Sequence, residues 1–268
     1  MMRYPPLQET ACDYESIREL IDDIRSRRHA GLESMMKQHT YVGIVDATFV
    51  LVQFGTKLLM LDHADFSKEL FYQLAIRRFG CADRLKLSTP VNLAEFVRAG
   101  LDSEEAQWTE EDGPKEVVAE NITNLLIEKG AMLNEYFCID ISEGGELLSL
   151  PELLQGHRPL PEVLPLFLIR LATEVNWEDE KLCFESIATI LAWYYAQLPV
   201  ETDRAQQSTM DRQWRAKRLL GDRGSQILQH QILPAMKAYF IPPKEFADDG
   251  SVVQVAALEQ LYRVFERC

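Results

Sequence analysis

Apolar positions recur at helical spacing over residues 14–38, where Ile17, Leu20, Ile21 and Ile24 share one side, so a single docked helix is expected there. The period then changes. Residues 41–45 and 49–52 read as strands, and Gly55 precedes a third at 57–61; their aliphatic and β-branched content predicts a largely buried sheet with short connections. Leu70, Phe71, Leu74 and Phe79 restore the helical period over 67–79. A further helix is expected directly after Thr89-Pro90, with threonine as cap and proline at the first helical position. Asp112-Gly113-Pro114 opens a long helix over 115–137, carried by Val118, Ile122, Leu125, Leu126, Leu133 and Tyr136.

Residues 137–141 and 147–150 flank Glu143-Gly144-Gly145 and read as a hairpin, since glycine enters positive φ at little cost. Four prolines between 151 and 165 predict irregular chain. Helical spacing returns over 179–198 through Cys183, Ile187, Ile190, Leu191 and Tyr194. The polar stretch 199–210 reads as a mobile connection. Helices are then expected through Trp214, Leu219, Leu220, Ile227, Leu228, Ile232 and Leu233, broken near 221–224, before a strand at 252–255 and an amphipathic end at 258–265. The fold class is therefore α+β or α/β, with no repeat of fixed period.

Size and charge narrow the function. The chain has 268 residues, 47% of them hydrophobic, enough for one or two cored domains. Its 42 acidic against 28 basic residues leave a net charge of −14, which opposes broad capture of nucleic acid or anionic membrane. The five cysteines include no close pair, so reduced thiols are expected rather than disulfides or a zinc knuckle. The most apolar run, 163–169, is interrupted by Pro165 and is far shorter than the roughly 20 residues of a membrane span. The first residues lack the apolar segment of a secretory signal.

The motifs of compact active sites are missing. The five histidines form no His-Glu-x-x-His, and there is no phosphate loop, dinucleotide turn or nucleophile elbow. His157 beside Arg158 reads as loop packing or a solvent-exposed side chain. Eight carboxylates between 102 and 120 read as a solvated face with helix-start electrostatics, and Glu178, Asp179 and Glu180 favour the positive end of the next helix. The end, Phe265-Glu266-Arg267-Cys268, carries a thiol and a carboxylate capable of binding zinc, although a mobile tail is the plain reading of its composition.

Several strings together change the picture. These are Glu69-Leu70-Phe71-Tyr72-Gln73, Trp108-Thr109-Glu110-Glu111-Asp112-Gly113-Pro114-Lys115-Glu116, Leu168-Ile169-Arg170-Leu171-Ala172-Thr173-Glu174-Val175-Asn176-Trp177, Ile241-Pro242-Pro243-Lys244 and the final Phe-Glu-Arg-Cys. In this order the chain resembles the C-terminal domain of eukaryotic MutL homologue one from about Ile17 to Cys268. The resemblance implies a MutL C-terminal-like fold of mixed sheets and packed helices. After a leader at 1–16, residues 17–88 and 179–268 would form a dimerisation subregion and 89–178 an outer, regulatory one. It implies a nuclear role in DNA mismatch repair, as a subunit paired constitutively with a MutL-homologue endonuclease that reaches DNA through the full complex, with no membrane. The family's ATPase region is absent from this sequence.

In such pairs the partner supplies a metal-dependent nicking site with the signature Asp-Gln-His-Ala-x-x-Glu-Arg. The matching junction here keeps Asp62, but His63 replaces the glutamine, Ala64 falls where the histidine belongs, and Lys68 falls where the glutamate belongs. Helix neighbours point about 100° apart, so His63 is not expected to aim where the family ligand aims. The partner's Cys-Pro-His and Ala-Cys-[Arg/Lys] motifs are also missing. No nuclease activity is expected of this subunit alone, and no cofactor of its own.

The resemblance further implies that Cys268 reaches the partner's site, which holds zinc or another divalent metal, with Phe265, Glu266 and Arg267 anchoring the tail. It implies that short aromatic-containing peptides from an exonuclease and other repair proteins dock on this subunit; a groove at 170–180 with Arg170, Glu174 and Glu180 is the local candidate, while Trp177 is expected to complete the core. Val42, Ile44, Phe49, Leu51, Leu58 and Met60 are dimer-or-core candidates, because alternation alone does not say which side of a sheet is covered by a partner. Two other readings stay open: a self-contained homodimeric adaptor, and an enzyme whose site is dispersed along the sequence.

Overall fold

The computed structural model describes residues 4–106, 108–202 and 218–257. The first helical region is two helices, α1 (Glu15–Ser26) and α2 (Ala30–Gln38), rather than one. The break has a cause in the side chains. His29 takes an extended conformation and its Nδ1 accepts from the Leu32 amide at 3.0 Å, capping α2, while its own amide donates to the Pro242 carbonyl at 2.8 Å.

Strands β1 (Thr40–Ile44), β2 (Phe49–Phe54) and β3 (Lys57–Asp62) follow as an antiparallel meander, and β9 (Val252–Ala257) adds to the far side of β3. Gly55, at φ 58°, turns β2 into β3. Helix α3 (His63–Arg77) starts four residues before the expected 67, because Asp62 Oδ1 accepts from the amides of Ala64 and Asp65, both at 3.0 Å.

A second antiparallel sheet has the order β4-β6-β5, from β4 (Asp83–Asn92), β5 (Asp140–Ile141) and β6 (Glu146–Glu152). No helix starts directly after Thr89-Pro90, contrary to expectation. Both residues lie in β4, and α4 (Leu93–Leu101) is capped instead by Asn92, whose Oδ1 accepts from the Glu95 amide at 3.1 Å. The long helix α5 (Lys115–Phe137) has the expected limits and ends on Cys138 at φ 56°, so 137–139 precede the strand rather than form it.

The apolar run before Arg170 is helix α6 (Leu164–Thr173), with Pro165 in the first turn where it displaces no hydrogen bond. Helix α7 (Glu180–Tyr195) is capped by Asp179, whose Oδ1 accepts from the Leu182 amide at 2.8 Å. Part of the expected mobile connection is strand: β7 (Val200–Thr202) pairs with β8 (Arg218–Leu220), which also moves Leu219 and Leu220 out of the expected helix. Helix α8 (Asp222–Ile227), a π-helical turn at Leu228–Ile232 and α9 (Leu233–Tyr239) then run on. Trp214, the rest of the expected connection and the amphipathic end at 258–265 lie outside the described residues.

Every described strand pairing is antiparallel, so the class is mixed α+β. The chain forms two compact units. One gathers the described residues of 1–6, 23–70 and 198–268; the other gathers 7–22 and 71–197. Buried Val50, Val52, Leu59, Leu61 and Phe66 belong to the core of the first, where Phe66 stacks on Phe246 at 4.6 Å. The second is cored by Phe71, Leu126, Leu133, Phe167, Tyr194 and Tyr195. His157 belongs to that core: it stacks on Phe71 at 5.0 Å and its Nε2 meets the Tyr195 carbonyl at 2.9 Å, so of its two sequence readings packing applies and exposure does not. No described helix is long and apolar enough to cross a membrane.

Candidate pairing surface and peptide site

Cross-strand partners share a sheet face, so register and burial together sort the apolar residues of the first unit. Tyr41–Val52–Leu59–Gln254 and Ile44–Val50–Leu61–Val252 are rows on the inner face, where Val50, Val52, Leu59 and Leu61 are buried. Gly43–Leu51–Met60–Val253 and Thr40–Gln53–Leu58–Ala256 are rows on the other, which Phe49 also joins. That outer face is apolar yet only half-covered: Phe49, Leu51, Leu58 and Met60 are all partly accessible, and Val253 is 41% exposed. Both edge strands carry irregularities, next to Val42 in β1 and Val255 in β9, and these two valines are 51% and 53% exposed. Of the six sequence candidates, Phe49, Leu51, Leu58 and Met60 lie on the outer face, Val42 lies at the β1 irregularity, and Ile44 shares the inner row with Val50.

At the junction of β3 and α3 the chemistry differs from a metal site. The Asp62 carboxylate is used as a helix cap, and burial raises its pKa. His63 is 3% exposed, with neither ring nitrogen hydrogen-bonded among the described residues; burial lowers its pKa to about 4 against the opposing pull of Asp46. Lys68 pairs with Asp65 at 2.8 Å. A capping carboxylate, a buried neutral imidazole and an ammonium do not converge as anionic donors, and no group of three or more metal-binding side chains occurs among the described residues.

The peptide candidates occupy the second unit. Arg170 clasps Glu174 through two hydrogen bonds, at 2.7 and 2.8 Å, and its guanidinium lies 4.2 Å from the centre of the Trp193 ring. Glu180, at the start of α7, accepts from Ser16 Oγ at 2.6 Å, next to a Lys181–Glu19 pair. An aromatic ledge that the sequence pattern does not signal lies there. Tyr14, Phe79, Tyr136 and Phe184 have ring centres 4.7–6.3 Å apart. Tyr14 is 39% exposed and its hydroxyl is 2.7 Å from that of Tyr136, whose pKa is pushed up to about 12 chiefly by this bond. Only the position of Tyr14 two residues before Ser16, and of Phe184 one turn after Glu180, could have signalled it. Trp177 is half-buried, donating to the Ala172 carbonyl at 3.2 Å. Phe265, Glu266, Arg267 and Cys268 lie outside the described residues.

Residues 13–268 match the family described as "DNA mismatch repair protein Mlh1 C-terminus". The chain belongs to this Mlh1 C-terminal family. It is 40% identical over 94% of its length to the DNA mismatch repair protein Mlh1 of Dictyostelium discoideum, and 31% identical over 98% to the DNA mismatch repair protein MLH1 of Saccharomyces cerevisiae. It is 29% identical over 96% to the putative MutL protein homolog 1 of Schizosaccharomyces pombe. The match takes in 29%, 35% and 35% of those three proteins, so the chain spans about a third of the length of its curated relatives. Membership of the Mlh1 C-terminal family is consistent with the MutL C-terminal-like architecture, two sheets with packed helices.

Proposed function

We propose that this Mlh1 C-terminal chain acts in DNA mismatch repair, in the nucleus, as a subunit that pairs with a MutL-homologue endonuclease. The observation that carries the reading is the outer face of the four-stranded sheet, where Leu51, Met60 and Val253 form an apolar row that is partly accessible among the described residues. A partner covering it would gain roughly 25 cal/mol per Å² of apolar surface removed from water. The first unit is then the pairing unit and the second the outer, regulatory one. Analytical ultracentrifugation of the mixed subunits tests this: Met60→Asp should prevent the heterodimer while leaving the circular dichroism of the chain unchanged. A heterodimer of undiminished affinity would refute the assignment of that face, and a chain that pairs with itself and ignores the endonuclease subunit would favour the homodimeric adaptor.

The chain is not a nuclease alone in this proposal. Cys268 supplies a thiolate to the divalent metal site of the partner, positioned by Phe265, Glu266 and Arg267. A partner-held metal supplies activated water and charge stabilisation for phosphodiester hydrolysis. In the purified heterodimer, Cys268→Ala should lower zinc content and nicking together while pairing persists. Unchanged metal and unchanged nicking would discard this role.

Short peptides from an exonuclease and other repair proteins dock on the second unit. Glu180 receives a basic side chain and Tyr14 and Tyr136 receive an aromatic one, while the Arg170–Glu174 pair lies by Trp193, further along α7. The half-exposed Tyr14 beside the Ser16–Glu180 bond supports this placement.

A further inference from the structure

Strand β4 ends the three-stranded sheet: it bonds to β6 on one side, and no described strand pairs with the other. A free edge is a row of unused amides and carbonyls, ready to accept another strand unless something deters it. Here the deterrent is charge. Arg84 and Lys86 both stand exposed on this edge, two residues apart, so an antiparallel copy of the same strand would bring cations against cations.

Beside them the register jumps. Lys86 opposes Ser149 but Val91 opposes Leu147, so residues 87–90 bulge out of the ladder. The bulge opens a cavity of about 300 Å³ walled by Arg84, Lys86, Leu87, Pro90 and Leu148, and also by Asp140 and Ser149. Arg84 is held at the rim: its guanidinium donates to Asn134 Oδ1 at 2.5 Å, and Asn134 in turn donates to Asp140 Oδ1 at 3.2 Å. Lys86 has no carboxylate within 4.0 Å among the described residues, in a chain with 14 more acidic than basic groups.

We propose that the free edge of β4 captures an extended acidic segment of a partner protein, adding it to the sheet as a strand, with carboxylates on Arg84 and Lys86 and the methylene stem of one of these acidic side chains against the apolar wall of the cavity, on the face that Arg84, Lys86 and Ser149 share. Three features select this occupant. Alternate residues of a strand lie about 7 Å apart on one side, the same repeat that separates Arg84 from Lys86. Leu87, Pro90 and Leu148 offer apolar contact, which a sugar-phosphate chain does not use. Asp140 sits within the cavity and repels a doubly charged phosphate more than a single carboxylate, and two cations are too few to track a nucleic acid backbone. This site is separate from the aromatic ledge at Glu180, whose charge calls for a basic peptide.

The test uses the full chain and fluorescence anisotropy, with labelled short peptides alternating Glu with Val or Lys with Val, and a single-stranded oligonucleotide as competitor. The Glu-Val peptide should bind, should weaken as salt rises, and should slow hydrogen exchange of the β4 amides. Lys86→Glu, at an exposed position with no ion-pair partner among the described residues, should weaken the Glu-Val peptide about tenfold and confer binding of the Lys-Val peptide. The proposal is overturned if both peptides bind alike, if Lys86→Glu changes neither, if β4 exchange is unaffected by binding, or if the oligonucleotide displaces the peptide at equal concentration.

Discussion

Leu61 and Met60 are adjacent in β3 and face opposite ways, which separates stability from pairing at single-residue resolution. Leu61 is 1% exposed, so Leu61→Ala should cost about 2–5 kcal/mol in urea unfolding of the chain alone. Met60→Ala, on the half-covered face, should cost well under half of that alone and show its main effect only once a partner is present. A second residue-scale effect concerns protons. His63 is neutral when folded, with its pKa lowered from 6.5 to about 4 by burial, and His39 is shifted likewise by burial and by the charge of Lys237. The unfolded chain therefore binds more protons between these values. Stability contributed by the neutral rings is complete above pH 6.5, falls as pH drops through the window, and levels off below pH 4. His63→Leu should flatten that fall by a share on the order of 3 kcal/mol, measured as the difference in unfolding free energy above pH 6.5 and near pH 4.

Among the elements, α4 meets α6 at Gly100, where an added Cβ would lie 2.7 Å from Ile169 Cδ1 and 3.1 Å from both Cβ and the carbonyl oxygen of Pro165. Alanine gains about 1 kcal/mol of helix propensity over glycine. The methyl of Ile169 can swing away but the ring and backbone of Pro165 yield less, so overlap wins: Gly100→Ala should lower stability by about 1–3 kcal/mol, read as a lower melting temperature. The elements also tell what a sequence can convey. Helix α5 was legible to its limits because its start signal and its apolar spacing agree, and the strands β1 to β3 because their period changes sharply. Strand β4 was hidden by Pro90, which ordinarily argues against a strand but sits harmlessly in a bulge at a sheet edge. Helix α6 was hidden because its residues are buried on most sides, leaving no polar stripe to reveal the period. The candidate sites divide similarly. Alternation named Leu51 and Met60 without saying which face the chain covers, and that required the register. The aromatic ledge joins residues 14, 79, 136 and 184, a grouping only the fold brings together.

At the scale of the whole molecule, the proposed pairing is thermodynamically linked to folding. A partner that binds only the folded chain stabilises it by about 2.7 kcal/mol when present at roughly a hundred times its dissociation constant. Adding the endonuclease subunit should therefore raise the urea midpoint in proportion to the logarithm of its concentration, and Leu51→Glu should abolish the increase. The pairing of β3 with β9 carries one more consequence, for a chain emerging from a ribosome. Met60 leaves the ribosome well before Val253, its neighbour in the sheet. At translation speeds of about 5–20 residues per second, β3 waits roughly 10–40 s with one side unclaimed. During that interval the nascent meander is sticky, and a holdase that shelters it would be expected to let go only after β9 has been delivered.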